Sequence, residues 1–196
     1  MAPRLSDRRH PVDVRVTHWI HAASFLALLV SGVAILLAHP RLYWGETGTV
    51  GTPALVELPL PFVFGHSGWG RSLHLLAAWA CALNGLPYVI NGLRTRHFGA
   101  GFRIYPVAQR VAYVAVVFAV FPLMFWSGFA MSPAITSVFP SAVTFIGGQQ
   151  SARTVHFFAG TLLVLFLLGH VLLVYRAGLG DQVRAMTRGS AAGERA

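Results

Sequence analysis

The sequence predicts an all-α integral membrane protein, a four-helix bundle with both termini in the cytoplasm. Its mean hydropathy is +0.61, and 55% of the 196 residues are hydrophobic whereas 11% are charged. Such a composition is typical of membrane proteins and differs from that of soluble domains. Four apolar stretches are also long enough to cross a membrane, because a helix needs about 20 residues to span a hydrocarbon core of about 30 Å.

The four predicted spans follow one another along the chain with more polar connections between them. They run roughly from Val16 to Ala38, Ser72 to Asn91, Ala108 to Met131, and Thr154 to Tyr175. All six acidic residues lie outside these spans, as expected for side chains that are costly to place in lipid. We therefore predict a single membrane domain over residues 1–189, followed by a disordered tail at residues 190–196.

The distribution of arginine predicts the orientation of the spans. Every basic residue other than histidine is an arginine, and with the amino terminus inside, only Arg41, Arg71 and Arg153 lie on the outer side. Because positive residues concentrate on the cytoplasmic side, both termini are predicted to be cytoplasmic in a bacterial inner membrane. The formal net charge of +9 then gives no reason to expect binding of nucleic acid.

The first span has an alternative interpretation as a cleaved export signal. It is too long for the apolar core of a signal peptide, and it begins with a His-Trp pair. The sequence that follows it, Ala38-His39-Pro40, is also a poor cleavage site. The first span is therefore interpreted as a permanent membrane helix.

Five histidines lie within the spans, where an imidazole is costly unless something occupies it, and four of them fall into pairs by depth. His156 and His170 are fourteen positions apart on the fourth span, so they point within about 40° of each other and lie about 21 Å apart along the helix. His18 lies toward the cytoplasmic end of the first span and His74 toward the outer end of the second. Two pairs at matching depth follow: His18 with His170 on the cytoplasmic side, and His74 with His156 on the outer side.

Two imidazoles at one depth on facing helices suit the iron of a haem, which takes two axial ligands. The only cysteine is Cys81, so the chain has no CxxCH motif for covalent attachment. We therefore predict two non-covalent b-type haems, each with two histidine ligands, in a dihaem cytochrome b domain. Because both axial positions would be filled, the predicted task is electron transfer and not bond chemistry. The alternative for a single histidine is a packing residue or part of a proton relay.

His21 and three arginines complete the predicted site. His21 lies one turn beyond His18 and is the alternative ligand on the first span. Arg15, Arg71 and Arg153 each precede a predicted ligand by three residues, which places each on nearly the same helix face about one turn nearer the aqueous interface. A guanidinium there matches a haem propionate in a two-pronged geometry. Alternatively, these arginines only mark helix ends and reach toward lipid headgroups.

Two pairs of small residues give further support for the outer site. Ser31-Gly32 in the first span resembles Ser127-Gly128 in the third, and both pairs lie toward the outer side. Gly32 also lies fourteen positions after His18, so it is expected to face the outer haem. Glycine at these positions either admits a porphyrin edge or allows close packing between helices.

These residues together resemble a known family. The string Arg15-Val16-Thr17-His18-Trp19, the lone His74, and His156 with His170 are similar to the cytochrome b561-type membrane subunits. These include the b-type cytochromes of nickel–iron hydrogenases, formate dehydrogenase gamma subunits and thiosulfate-reductase-like cytochrome b subunits. The resemblance covers roughly Pro11 to Gly189, and the segment Leu42-Tyr43-Trp44-Gly45-Glu46 looks closest to members associated with molybdopterin oxidoreductases. His21 is a departure, because hydrogenase-type sequences usually lack this second histidine.

The resemblance implies two b haems, a quinone site near the cytoplasmic haem, and a catalytic partner at the outer, periplasmic face that is molybdopterin-dependent or hydrogenase-like. The chain would then relay electrons between a quinone pool and that partner oxidoreductase, surrounded by membrane lipid. The outer loop from His39 to Gly70 is long enough to form a docking surface. Two alternatives stay open: a stand-alone cytochrome b that reacts with quinol without a dedicated partner, and a haem-free membrane anchor.

Overall fold

The computed structural model describes residues 12–49, 51–59, 68–94 and 107–188, most of which are helical. Four helices are long and apolar enough to cross a membrane: Val12–Ala38, Gly68–Ile90, Gln109–Ala130 and Gln149–Arg176. They overlap the four predicted spans, so the predicted all-α membrane class is confirmed. The tail predicted at residues 190–196 lies outside the described residues.

The first two spans are the helices α1 (Val12–Ala38) and α2 (Gly68–Arg94). Much of their surface is apolar and exposed; Leu76 and Leu83, for example, are 70% and 67% accessible. This exposure suits a lipid environment, because acyl chains solvate leucine as well as a protein core does. Pro87 lies inside α2, a position that membrane helices tolerate better than soluble ones.

The third span, which the sequence predicts from Ala108 to Met131, contains a π-helical segment between two α-helical ones. Helix α3 (Val107–Ala115) leads into a π-helical segment (Val116–Val120), which continues as α4 (Phe121–Ala130). Pro122 lies in the first turn of α4, where its ring would clash with the carbonyl four residues earlier in a regular α-helix. The wider π turn before it relieves that clash.

A short antiparallel hairpin, which the sequence did not predict, pairs β1 (Arg41–Leu42) with β2 (Val56–Glu57). Arg41 Nη2 lies 2.8 Å from Glu57 Oε1, and the hydrogen bond to this carboxylate raises the pKa of Arg41. Exposed ion pairs stabilise little. The hairpin is instead anchored by burial, since Leu42 and Tyr43 are only 1% and 7% exposed.

Two short helices, α5 (Pro133–Thr136) and α6 (Ser141–Thr144), connect the third span to α7 (Gln149–Arg176). The turn before α7 contains Gly148 at a φ of 111°. A Cβ on Gly148 would lie 2.4 Å from the carbonyl oxygen of Gly45, so only glycine allows this approach. The hairpin loop thereby reaches the amino-terminal end of α7.

Helix α8 (Leu179–Arg188) follows the last span after Gly178, whose φ of 96° ends the preceding helix. Two side chains of α1 bind the last carbonyls of α8. Arg15 Nη1 donates to the Thr187 carbonyl at 2.9 Å, and Trp19 Nε1 donates to the Met186 carbonyl at 3.0 Å. Because carbonyls at a helix end lack intrahelical partners, these bonds cap α8.

The contacts divide the chain into two compact units. The first unit contains the described parts of Met1–Ile35, His66–Gly101 and Gly169–Ala196, and the second contains those of Leu36–Gly65 and Phe102–Leu168. Three of the four predicted ligands therefore belong to the first unit, and His156 belongs to the second.

Candidate functional site

His74 projects from α2 toward α1 within the first unit. Its Nδ1 lies 3.0 Å from the Oγ of Ser31, and Ser31 is fully buried. The next residue, Gly32, lies against the same ring, since a Cβ at that position would be 3.6 Å from His74 Cε1. The predicted ligand of the second span is therefore held against a Ser-Gly pair of the first span.

His156 has the same surroundings in the second unit, although a different pair of helices supplies them. Its Nδ1, on α7, lies 3.0 Å from the Oγ of Ser127 on α4, and Ser127 is also fully buried. A Cβ at Gly128 would be 3.5 Å from His156 Cε1. The sequence shows that the Ser-Gly pair recurs, but the contact between each serine and a predicted ligand was not predicted. The recurrence of the pair toward the outer side was the signal in the sequence that could have indicated these contacts.

The hydrogen-bond partners of the two serines identify the protonated nitrogen of both rings. The Oγ of Ser31 lies 2.6 Å from the Ala27 carbonyl oxygen, and the Oγ of Ser127 lies 2.8 Å from that of Leu123. A carbonyl oxygen only accepts, so each serine donates its single proton to the main chain. Each Oγ must then accept from its histidine, so Nδ1 carries the proton, and in the neutral ring Nε2 is unprotonated. An imidazole in this form binds a metal through Nε2.

His21 has a different environment from His74, although both lie at the contact between α1 and α2. Its Nδ1 contacts the side-chain amide of Asn84, and Nδ2 of that amide also donates to the Thr17 carbonyl at 2.9 Å. A Cβ at Gly85 would lie 3.1 Å from His21 Nε2. Both ring nitrogens of His21 therefore face α2, and this imidazole packs the first two spans together.

The two remaining predicted ligands both lie in the first unit. His18 is half-buried on α1, and its ring packs edge-on against Trp19 with the ring centroids 5.2 Å apart. His170 is exposed near the carboxyl-terminal end of α7. An imidazole that is exposed on a membrane span is costly unless a ligand covers it.

Arg153 lies one helical turn before His156 on α7 and is half-buried. Its guanidinium donates to the main-chain carbonyl of His39. It also lines a cavity of about 360 Å³ in the second unit. The other residues that line this cavity are His39, Pro40, Arg41, Tyr43, Gly48 and Thr49.

The other two predicted arginines lie in the first unit. Arg15, one turn before His18, uses Nη1 to cap α8, as described above. Arg71 is exposed on α2, one turn before His74. All three arginines thus lie on a helix one turn before a predicted ligand. Arg15 and Arg153 donate to main-chain carbonyls.

The chain is similar to known proteins over most of its length. The profile of the prokaryotic cytochrome b561 family matches residues 9–189. A relative from Azospira oryzae is named putative protein-methionine-sulfoxide reductase subunit YedZ1. It is 27% identical over an alignment of 193 residues; the match covers 84% of this chain and 89% of the relative. No solved structure matches the chain significantly. Because the family profile covers nearly the whole chain, this protein belongs to the prokaryotic cytochrome b561 family of haem-binding membrane proteins that transfer electrons.

Proposed function

We propose that this chain is the membrane subunit that carries electrons between a quinone pool and an oxidoreductase at the outer face of a bacterial inner membrane. The proposal adds two b haems, their ligands, the quinone and the partner to what family membership establishes. The observation that carries it is the contact of a serine hydroxyl with Nδ1 of His74 and of His156. These contacts favour the ring form that binds iron through Nε2, at the two positions where the sequence predicts an axial pair.

The residues of the chain fit a b-type haem. Such a haem requires two neutral imidazoles with an unprotonated nitrogen toward the iron, and cations near its propionates. The serine contacts supply the first requirement at His74 and His156. Depth along the spans pairs these two histidines on the outer side, and it pairs His18 with His170 on the cytoplasmic side. We propose these four as the axial ligands.

Each part of the proposed site has a limited role. A bound haem b with both axial positions filled supplies reversible one-electron chemistry and no open coordination site. The four imidazoles would hold the two irons, with one ring nitrogen from each histidine. The apolar side chains of the spans exclude water, and the exposed position of His170 is explained if a porphyrin covers it. Quinone reactivity would follow near the cytoplasmic pair, as the family resemblance implies.

The comparison, the exposed aromatic residues and the charges support the proposed partner and orientation. The relative from Azospira oryzae is named as a reductase subunit, which supports a dedicated partner oxidoreductase. In the second unit, Trp44, Phe139 and Phe145 are 61%, 64% and 80% exposed, and aromatic residues of this kind are enriched at protein interfaces. Most arginines lie on the side of the membrane that carries both termini, and this excess supports a cytoplasmic location of the termini.

The purified protein is expected to contain two haem b groups per chain, to give a reduced-minus-oxidised spectrum of low-spin b type, and to be reduced by a quinol. A pyridine haemochrome assay measures the haem-to-protein ratio, and purification from the native membrane tests for a bound oxidoreductase. A stand-alone cytochrome would have both haems but no partner. A preparation without Soret absorbance, after expression with ample haem, would support the haem-free anchor and reject the proposal.

Arg153 is proposed to hold a propionate of the outer haem. Replacing Arg153 with alanine is expected to lower the midpoint potential of that haem, because removing a nearby cation disfavours the more negative reduced state. A redox titration of the two haems measures the shift. Arg41→Ala is the matched control: Arg41 lines the same cavity but is paired with Glu57, so its loss should leave both potentials unchanged. An unaltered titration of the Arg153 variant would assign this arginine to lipid or main-chain contacts alone.

A further inference from the structure

We infer that Ser31 and Ser127 are positioning residues: their hydroxyl groups fix the orientation and protonation of His74 and His156, and thereby lower the reduction potential of the outer haem. This inference rests on the proposed function, since it concerns two of the proposed axial ligands. We call each serine with its following glycine a serine cradle, namely Ser31-Gly32 around His74 and Ser127-Gly128 around His156.

The two serine cradles are independent copies of one arrangement. One belongs to the first unit and joins α1 to α2; the other belongs to the second unit and joins α4 to α7. In both, Nδ1 lies 3.0 Å from the serine Oγ, and a Cβ on the glycine would lie 3.5 or 3.6 Å from Cε1. Both serines are fully buried. A serine that merely filled space would have no reason to meet the same ring atom in both units.

The cradle constrains the orientation of the ring. The hydrogen bond at Nδ1 directs that nitrogen toward the serine, so Nε2 points to the opposite side of the ring. The Cε1 edge lies beside the neighbouring helix, where a Cβ on the glycine would be at ordinary van der Waals distance from it. Rotation of the imidazole about its own bond would break the hydrogen bond at Nδ1, so the cradle selects one orientation.

The hydroxyl groups also strengthen the histidines as electron donors to iron. Each serine donates to the main-chain carbonyl four residues earlier, at 2.6 Å from Ser31 and 2.8 Å from Ser127. A hydroxyl that donates in this way becomes a better acceptor, because hydrogen bonds in a chain polarise one another. A better acceptor at Nδ1 raises the basicity of the ring at Nε2. A more basic ligand favours the oxidised iron, so the reduction potential falls.

His21 shows that the cradle is not a general feature of the histidines on these spans. A glycine, Gly85, also lies beside Cε1 of this ring, but the Nδ1 of His21 meets the amide of Asn84 and not a serine hydroxyl. The serine cradles thus occur at the two histidines that the sequence assigns to the outer pair. The arrangement therefore points to ligation and not to packing.

Alanine at Ser31, at Ser127 and at both tests this inference in the haem-loaded protein. Each single variant is expected to raise the midpoint potential of the outer haem by up to about 59 mV, which corresponds to about a tenfold change in the equilibrium constant for one-electron reduction. The double variant should raise the potential further. The low-spin electron paramagnetic resonance signal of that haem should also change, because the ligand planes lose their restraint. Ser24→Ala is the matched control, since Ser24 is buried seven residues earlier on α1 and lies on the same face.

Threonine and valine at position 31 distinguish the effect of the hydroxyl group from the effect of side-chain shape, because the two residues are nearly isosteric and only threonine has a hydroxyl group. Ser31→Thr should keep the wild-type potential and spectrum, whereas Ser31→Val should behave as the alanine variant. Haem retained with unchanged potential and spectrum in the double alanine variant would overturn the inference and leave the proposed function intact. The alanine variants could instead lose the outer haem. In that case, an outer haem that is retained in Ser31→Thr but lost in Ser31→Val supports the inference, and its loss in both variants overturns the inference. A wild-type protein without haem would instead reject the proposed function.

Discussion

Replacing His170 with alanine is expected to lower the haem content from two per chain to one. His170 lies on the same helix as His156, fourteen residues further along, so the two rings lie about 21 Å apart along the helix axis. One haem cannot use both, and the loss of one ring should leave the haem at the other end in place. The remaining haem should titrate as a single one-electron component with the potential of the outer haem.

His156→Ala is the matched variant for this experiment, because it removes a histidine from the same helix at the other depth. It should also retain one haem, but the remaining one should titrate with the potential of the cytoplasmic haem. The pyridine haemochrome assay gives the haem count, and the redox titration shows which haem is left. Two haems per chain in the His170 variant would contradict the proposed pairing of His18 with His170.

The membrane spans could be predicted from the sequence because the membrane imposes a simple rule on it. A span must be predominantly apolar over about 20 positions, so the hydropathy of the chain marks each span directly. The interruption of the third span was less visible. Pro122 was present in the sequence, but a proline can be accommodated by a kink, a break or a π turn, and only the fold selects among these.

The serine contacts could not be predicted because they depend on which helices are neighbours. Ser31 and His74 are separated by 43 residues and Ser127 and His156 by 29, and hydropathy does not say which faces of two spans meet. The resemblance between the two Ser-Gly pairs indicated a shared depth and nothing about a hydrogen bond. The hairpin that follows α1 was missed for a related reason, since its strands have only two residues each, too few to show an alternating pattern.

The choice between His18 and His21 shows the limit of an argument from depth. The two residues are three positions apart, which is only about 4.5 Å along the helix, so depth alone separates them weakly. The contacts of His21 with Asn84 and Gly85 supply the missing information. A ring whose two nitrogens both face a neighbouring helix is poorly placed to bind iron elsewhere, and this supports His18 as the ligand.

Replacing His18 with alanine is therefore expected to remove the cytoplasmic haem, whereas replacing His21 with alanine should leave two haems per chain. Loss of His21 would remove one of the two partners of the half-buried Asn84 amide, which keeps its bond to the Thr17 carbonyl, and a lost hydrogen bond costs about 0.5–1.5 kcal/mol. The His21 variant should thus unfold at a lower temperature while its haem count and both midpoint potentials stay at wild-type values.

Combining variants distinguishes loss of a ligand from general damage to the first two spans. If His18 and His170 hold the same haem, the double variant His18→Ala with His170→Ala should retain one haem, the same one as either single variant. If the two residues held different haems, the double variant would lose both. One haem in the His21 variant together with two in the His18 variant would assign the axial position to His21 and show that its contacts with α2 rearrange when haem binds.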